Sequence, residues 1–230
     1  MKCRLIRLLA GVACGLALLC AAMWILIQSL GDSETLYRGK TLYFWSEQVK
    51  SPSAASSNQA FLILSQEIIP KLTKTMFSDT NDSTLRVKLI ENLNSLPGVN
   101  IFFRPADGRR QNAAASLGEF GPAAESAFPD LLRAFQSQDI AVKGAAAVSL
   151  GKIRVKPDIM IPLLIRALGD ENLREDAAEA LGEFGLASAP AIPRLTELLE
   201  VRDKDLHHAV VEALQKIAAP SNTVPSAPRT

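Results

Sequence analysis

The chain is poor in the residues that carry covalent and metal chemistry. Its 230 residues include three cysteines, at positions 3, 14 and 20, so the long remainder has no internal disulfide and no thiolate metal site. The two histidines are adjacent, His207 and His208. Neighbours on a helix diverge by about 100°, whereas helical zinc sites use i and i+4. Aromatic residues make up only 6%, so a core must be built from Ala, Leu, Ile and Val, which suits close-packed helices better than a β-sandwich. Strong charge of either sign is also missing. Beyond Lys2, Arg4 and Arg7 stand 22 basic against 24 acidic residues, giving no electrostatic reason to expect nucleic acid. No P-loop, G-x-S-x-G or paired-carboxylate constellation occurs. Ser149-Leu-Gly-Lys152 matches an S-x-x-K nucleophile motif, but the same register elsewhere reads Ser116-Leu-Gly-Glu119 and Ala180-Leu-Gly-Glu183. We assign no catalytic, cofactor-binding or metal-ligating residue.

One long apolar run is present. Residues 8–30 carry no charge, and 23 residues of helix extend roughly 34 Å, enough to cross a bilayer core. A cleaved signal peptide has a shorter apolar run and a small-x-small cleavage site, so residues 1–30 are expected to be an uncleaved signal anchor, with secretion after cleavage as the alternative. Lys2, Arg4 and Arg7 should stay cytoplasmic, placing residues 31–230 outside, in the periplasm of a bacterial inner-membrane protein. Gly11 and Gly15 form a G-x-x-x-G that would permit weak self-association.

The rest of the chain repeats itself. Leu117-Gly118, Leu150-Gly151 and Leu181-Gly182 recur at spacings of 33 and 31, and Leu214-Gln215 follows after 33 more. Apolar residues stand four and three before each leucine and three after it, which traces one helical face. Twelve residues after the first three leucines stand Pro129, Pro162 and Pro193, suited to the first turn of a second helix. Eleven residues before the last three leucines stand Asp139, Asp170 and Asp203, placed to cap helix N-termini at about 0.5–2 kcal/mol each. Lys143, Arg174 and His207 follow four residues later, a row expected on the surface or in a ladder. Asp82, Arg86 and Leu93 repeat the phrase upstream, preceded by Pro70, but "SLPGVNIFFRPADG" occupies the place of a second helix.

These features resemble HEAT repeats, and within them the bacterial HEAT-like class also found in phycobilisome lyase subunits. The resemblance rests on the Asp-x-x-[Leu/Val]-[Arg/Lys] phrases, the Ala-Ala pairs, the Leu-Gly-x-[Phe/Ile] runs and the proline-led second helices. It implies an all-α fold, a right-handed α-α superhelix of the HEAT/ARM-like solenoid kind, here preceded by one N-terminal transmembrane helix. We expect capping helices over 31–67, repeats over 68–218 with an interrupting loop near 96–109, and a disordered Pro/Ser-rich tail over 219–230. "LYRGKTLYFWSEQVKS" (36–51) should be a first amphipathic helix with Trp45 capping the first hairpin, followed by "SPSAASSNQA" as a turn or linker. This start is similar to that of membrane-anchored HEAT-repeat proteins of bacteria.

Glu119, Lys152, Glu183 and Lys216 alternate in sign where stacked units would pair. Four residues past each proline stand Lys74, Arg133, Arg166 and Glu197. In HEAT-like arrays second helices line the concave face, so this row is the expected protein-binding face, suited to an acidic peptide. The function expected is a non-enzymatic protein-binding scaffold held by one membrane helix, with no cofactor. The alternatives are an accessory subunit of a lyase, by resemblance, or an extracytoplasmic spacer.

Overall fold

A computed structural model describes residues 37–79, 82, 84–95, 101 and 103–219. The expected signal anchor, the Gly11/Gly15 pair and most of the 219–230 tail lie outside the described residues. Among those described, no helix is long and apolar enough to cross a membrane. They form eleven α-helices and no β-strand, in two compact units.

The larger unit comprises residues 36–80 and 106–230. It opens with a tight turn in which Tyr37 N donates to Lys40 O (2.8 Å) and Lys40 N to Tyr37 O (3.1 Å). Arg38 and Gly39 both take positive φ, the conformation that Arg-Gly supplies here. Thr41 then caps helix α1 (Leu42–Val49) by accepting from Phe44 N. The helix expected over 36–51 is therefore shorter, because its start is spent on this turn. Trp45 is buried, its Nε1 donating to Tyr37 O at 2.9 Å, so it joins the turn to the core.

Helix α2 (Ala54–Ile63) runs through the stretch expected as a linker, and the connection is only residues 50–53. Its Ala and Gln residues favour helix, and packing on α1 overrides the serines. A π-helical turn, Leu64–Ile68, leads into α3 (Ile69–Ser78), and Ile69 N donates to Leu64 O rather than one residue later. Pro70, which has no N–H to continue the α ladder, stands next to this wider turn.

The stack then resumes at residue 106. Helices α5 (Ala106–Glu119) and α6 (Phe128–Phe135), α7 (Ile140–Ile153) and α8 (Pro157–Ala167), and α9 (Arg174–Phe184) and α10 (Ile192–Leu198) are three helical pairs, and α11 (Lys204–Ala218) follows. First helices pack in series, α5 on α7 on α9 on α11, and α3 packs on α5. Each second helix lies against the next first helix. Helix α5 begins at Ala106, so the loop expected near 96–109 gives way to helix over its last four residues. Arg109 clasps Asp79 with two hydrogen bonds (2.6 and 2.8 Å), and Arg110 donates to Asp79 O (2.7 Å), so residues far apart in sequence meet at the base of the stack.

The repeated Leu-Gly has a steric origin. Leu117, Leu150 and Leu181 are fully buried. A Cβ on Gly118, Gly151 or Gly182 would lie 2.9, 2.7 or 2.9 Å from the Cα of Ser149, Ala180 or Ala213, closer than real Cβ atoms come. Each glycine thus admits the backbone of the next first helix, and the residue it meets is small. The "EFG" that twice follows ends at Gly121 and Gly185, whose positive φ (55° and 59°) turns the chain into 3-10 segments before α6 and α10. In the middle unit Arg154 and Lys156 adopt positive φ instead, and no such segment forms.

The smaller unit contains residues 81–105, with α4 (Thr84–Asn94). Asn94 brackets Ile101, its Nδ2 donating to Ile101 O (3.1 Å) and its Oδ1 accepting from Ile101 N (2.7 Å). Ile90 and Ile101 are buried. The upstream copy of the repeat phrase, which contains Asp82 and Arg86, falls in this unit and not in the stack.

Candidate protein-binding face

The second helices bring forward the four residues read from the sequence. Lys74 on α3, Arg133 on α6, Arg166 on α8 and Glu197 on α10 are all exposed. They are not equivalent. The Arg133 guanidinium lies over the Phe77 ring of α3, 3.5 Å from its centroid, which fixes the arginine across the α3–α6 junction. The side chains of Lys74 and Arg166 make no hydrogen bond or ion pair with described residues. Glu197 accepts from Arg194 at 2.6 Å, so its charge is offset within its own helix. The row is therefore basic along α3, α6 and α8 and neutralised at α10. Sequence reasoning missed Phe77 and Arg194, although the second could be found as an i,i+3 partner of Glu197.

The expected caps and ladder divide. Asp139 caps α7, accepting from Val142 N (3.3 Å), and Asp203 caps α11, accepting from Asp205 N and Leu206 N (3.1 and 3.2 Å). Asp170 does not cap α9. That helix begins only at Arg174, after a turn in which Asp170 accepts from Asn172 N (3.0 Å) and its carbonyl from Arg174 N. The short Pro162-to-Asp170 spacing is the reason, since an extra turn lies between Asp170 and the helix. Arg174 reaches Asp203 of the following unit (3.9 Å), and Arg110 reaches Asp139 (2.6 Å). Arg110 was missed because Ala106 replaces the aspartate of the phrase, yet it stands seven before Leu117 as Arg174 stands before Leu181. Lys143, in the same register, is half-buried and makes no ion pair among the described residues. Burial works against the charged form of Asp139, but Arg110 and the Val142 N–H outweigh it and hold the carboxyl below its ordinary pKa.

On the first-helix side, Lys152 pairs with Glu119 and Lys216 with Glu183, each at 2.8 Å. The middle link is made by Arg154, which reaches Glu183 at 3.4 Å. Burial alone would raise Glu183, but Lys216 and Arg154 bring it below its ordinary value. The S-x-x-K pair is structural. Ser149 is buried and donates to Ala114 O (2.8 Å), while Lys152 points to Glu119. A cleft of about 340 Å³ lies between α9 and α11, lined by Glu175, Glu179, Asp205, His208, Glu212 and Lys216. No group of His, Cys, Asp or Glu among the described residues is arranged to hold a metal ion. Beside this cleft, Asp176 is pushed up to about 6 by burial and then by the charges of Glu175 and Glu179. The stacked helical pairs, with charged side chains along both sides, define a helical-repeat protein.

Residues 105–174 match the model for HEAT repeats. Residues 173–200 match the model for the PBS lyase HEAT-like repeat. A phycocyanobilin lyase subunit alpha from Nostoc sp. (strain PCC 7120 / SAG 25.82 / UTEX 2576) is 37% identical over 91 residues, which cover 36% of this chain and 32% of that protein. Over residues 105–200 the chain is thus similar to HEAT repeats, and over part of that stretch to the HEAT-like repeat of phycobilisome lyases. It spans about a third of the length of the curated relative it matches.

Proposed function

We propose that the protein is a non-enzymatic scaffold that binds an acidic segment of another protein along its second helices. The observation that carries this reading is the basic row Lys74, Arg133 and Arg166, with Lys74 and Arg166 unpaired among the described residues and Arg133 held over Phe77. Stacked repeats leave a long surface suited to protein partners, and unpaired arginines suit carboxylates. In this reading the pairs wind into a right-handed superhelix with the second helices on its concave side. Residues 8–30 anchor the chain in a bacterial inner membrane, and the stack lies outside the cytoplasm. Purification of partners with the full chain and with Arg133→Glu/Arg166→Glu tests the face. Partners should be lost on charge reversal, and undiminished recovery would reject this surface.

The identity to the lyase subunit favours a second reading, an accessory role beside a bilin-attaching enzyme. An absorbance change on incubation with a linear tetrapyrrole would support it. Unchanged spectra with partner capture intact would leave the scaffold.

A further inference from the structure

The hairpin of α1 and α2 carries an apolar surface that the stack does not use. Tyr43 is 74% exposed, Leu62 54% and Phe61 49%. Ser57 Oγ donates to Val49 O (3.0 Å), which sets α1 antiparallel to α2 and puts Tyr43 and Phe44 at the level of Phe61 and Leu62. The inward face of the same hairpin is occupied by Trp45, Ala60 and Ile63, so the outer aromatics are not a poorly packed core. Lys40 lies beside them, its Nζ 5.1 Å from the Phe44 ring centroid. Aromatic rings with a basic rim are the composition that settles at the headgroup level of a bilayer.

Chain length says what this surface meets. Only residues 31–36 separate the apolar run ending at Leu30 from the Tyr37 turn. Six residues reach at most roughly 20 Å when fully extended, and the headgroup layer takes up about 5–8 Å of that. We infer that the exposed face of Tyr43, Phe61 and Leu62, with Lys40 at its edge, docks on the lipid headgroup layer of the membrane that holds the chain. Docking would fix the start of the stack at the bilayer and leave the second-helix face of α6 and α8 free in the aqueous phase. This inference rests on the proposed membrane anchoring.

Tryptophan occurs only at 24 and 45, and Trp45 is buried on the inward side, so Trp24→Phe with Leu62→Trp puts an exposed reporter on the face itself. The full chain with these changes is reconstituted into phosphatidylcholine–phosphatidylglycerol vesicles whose acyl chains carry bromine near the carbonyl. Because an interfacial face sits about 5–10 Å into the headgroup boundary, emission from position 62 should fall by about half relative to unbrominated vesicles. Adding Tyr43→Ser and Phe61→Ser should restore most of it, and these exposed positions leave the core intact. Unquenched emission from position 62 in chains that resist carbonate extraction would overturn the docking alone, including the case where a second copy covers the patch. Chains stripped by carbonate would overturn the anchoring and the docking with it.

Discussion

The junction between α7 and α9 and the outer side of α11 are built from one repeated phrase but meet different surroundings. At the junction Leu150 is fully buried and Gly151 admits Ala180 within contact distance. In α11 the corresponding residues are Leu214, only partly buried, and Gln215, exposed. Val211 is likewise half-buried where Ala147 and Ala178 are closed off. Glycine after the leucine is therefore not a property of the helix. It records a following first helix, and α11 has none among the described residues. A long polar side chain replaces glycine where the backbone no longer needs to be approached.

The difference is broken most severely at the leucines. Leu150→Asp should cost at least about 4 kcal/mol, combining a lost core side chain with a buried charge, and abolish the cooperative thermal transition. Leu214→Asp should cost about 1–2 kcal/mol and keep the helical circular dichroism, since its carboxylate can reach water. Next comes the glycine. Gly151→Val should lose about 2–3 kcal/mol through overpacking, measured by urea unfolding. Gln215→Gly, which writes the junction residue onto the open side, should lose no more than about 1 kcal/mol, from helix propensity alone.

A smaller effect separates charged from neutral packing at the same junction. Asp176 lies against Gly144 of α7 and titrates near 6 instead of 3.8. The folded state therefore holds the proton more tightly than the unfolded state. Its stability contribution is fully present below about pH 4 and is lost as pH rises through 6. Asp176→Asn should stabilise the protein by about 1 kcal/mol at pH 7.5, after allowance for partial exposure, with the gain vanishing near pH 4. Ser149→Ala should cost about 1 kcal/mol for its buried hydrogen bond to Ala114. The exposed pair is weaker still, and Lys152→Ala should shift stability by about 0.5 kcal/mol or less, a shift erased in 1 M salt.

Much of the stack was legible before the structure. The leucine period, the proline-led second helices, the sign alternation between Glu119 and Lys152, and the capping roles of Asp139 and Asp203 follow from helix periodicity and terminal hydrogen bonding, which are local. Trp45 was expected to cap the first hairpin, and it is buried with its Nε1 on Tyr37 O. What failed depends on tertiary choice. Asp82 to Leu93 carries the repeat phrase yet belongs to the smaller unit, and no local rule shows that α3 packs on α5. The stretch at 51–60 reads as a turn or linker, but packing on α1 draws most of it into helix. In the basic row the arginine position was visible and its stacking on Phe77 was not, because that contact joins residues far apart in sequence. The α9–α11 cleft gathers acidic residues from two units whose relative rotation is set only by stacking.

The face itself is tested most directly by a photo-crosslinking side chain placed at position 166, on the second helices, or at 179, on the first-helix side of the stack. Position 166 should give a discrete protein adduct in native membranes that disappears when Arg133→Glu is added, while 179 gives none. Adducts from 179 with none from 166 would contradict the assignment of the second helices as the binding surface.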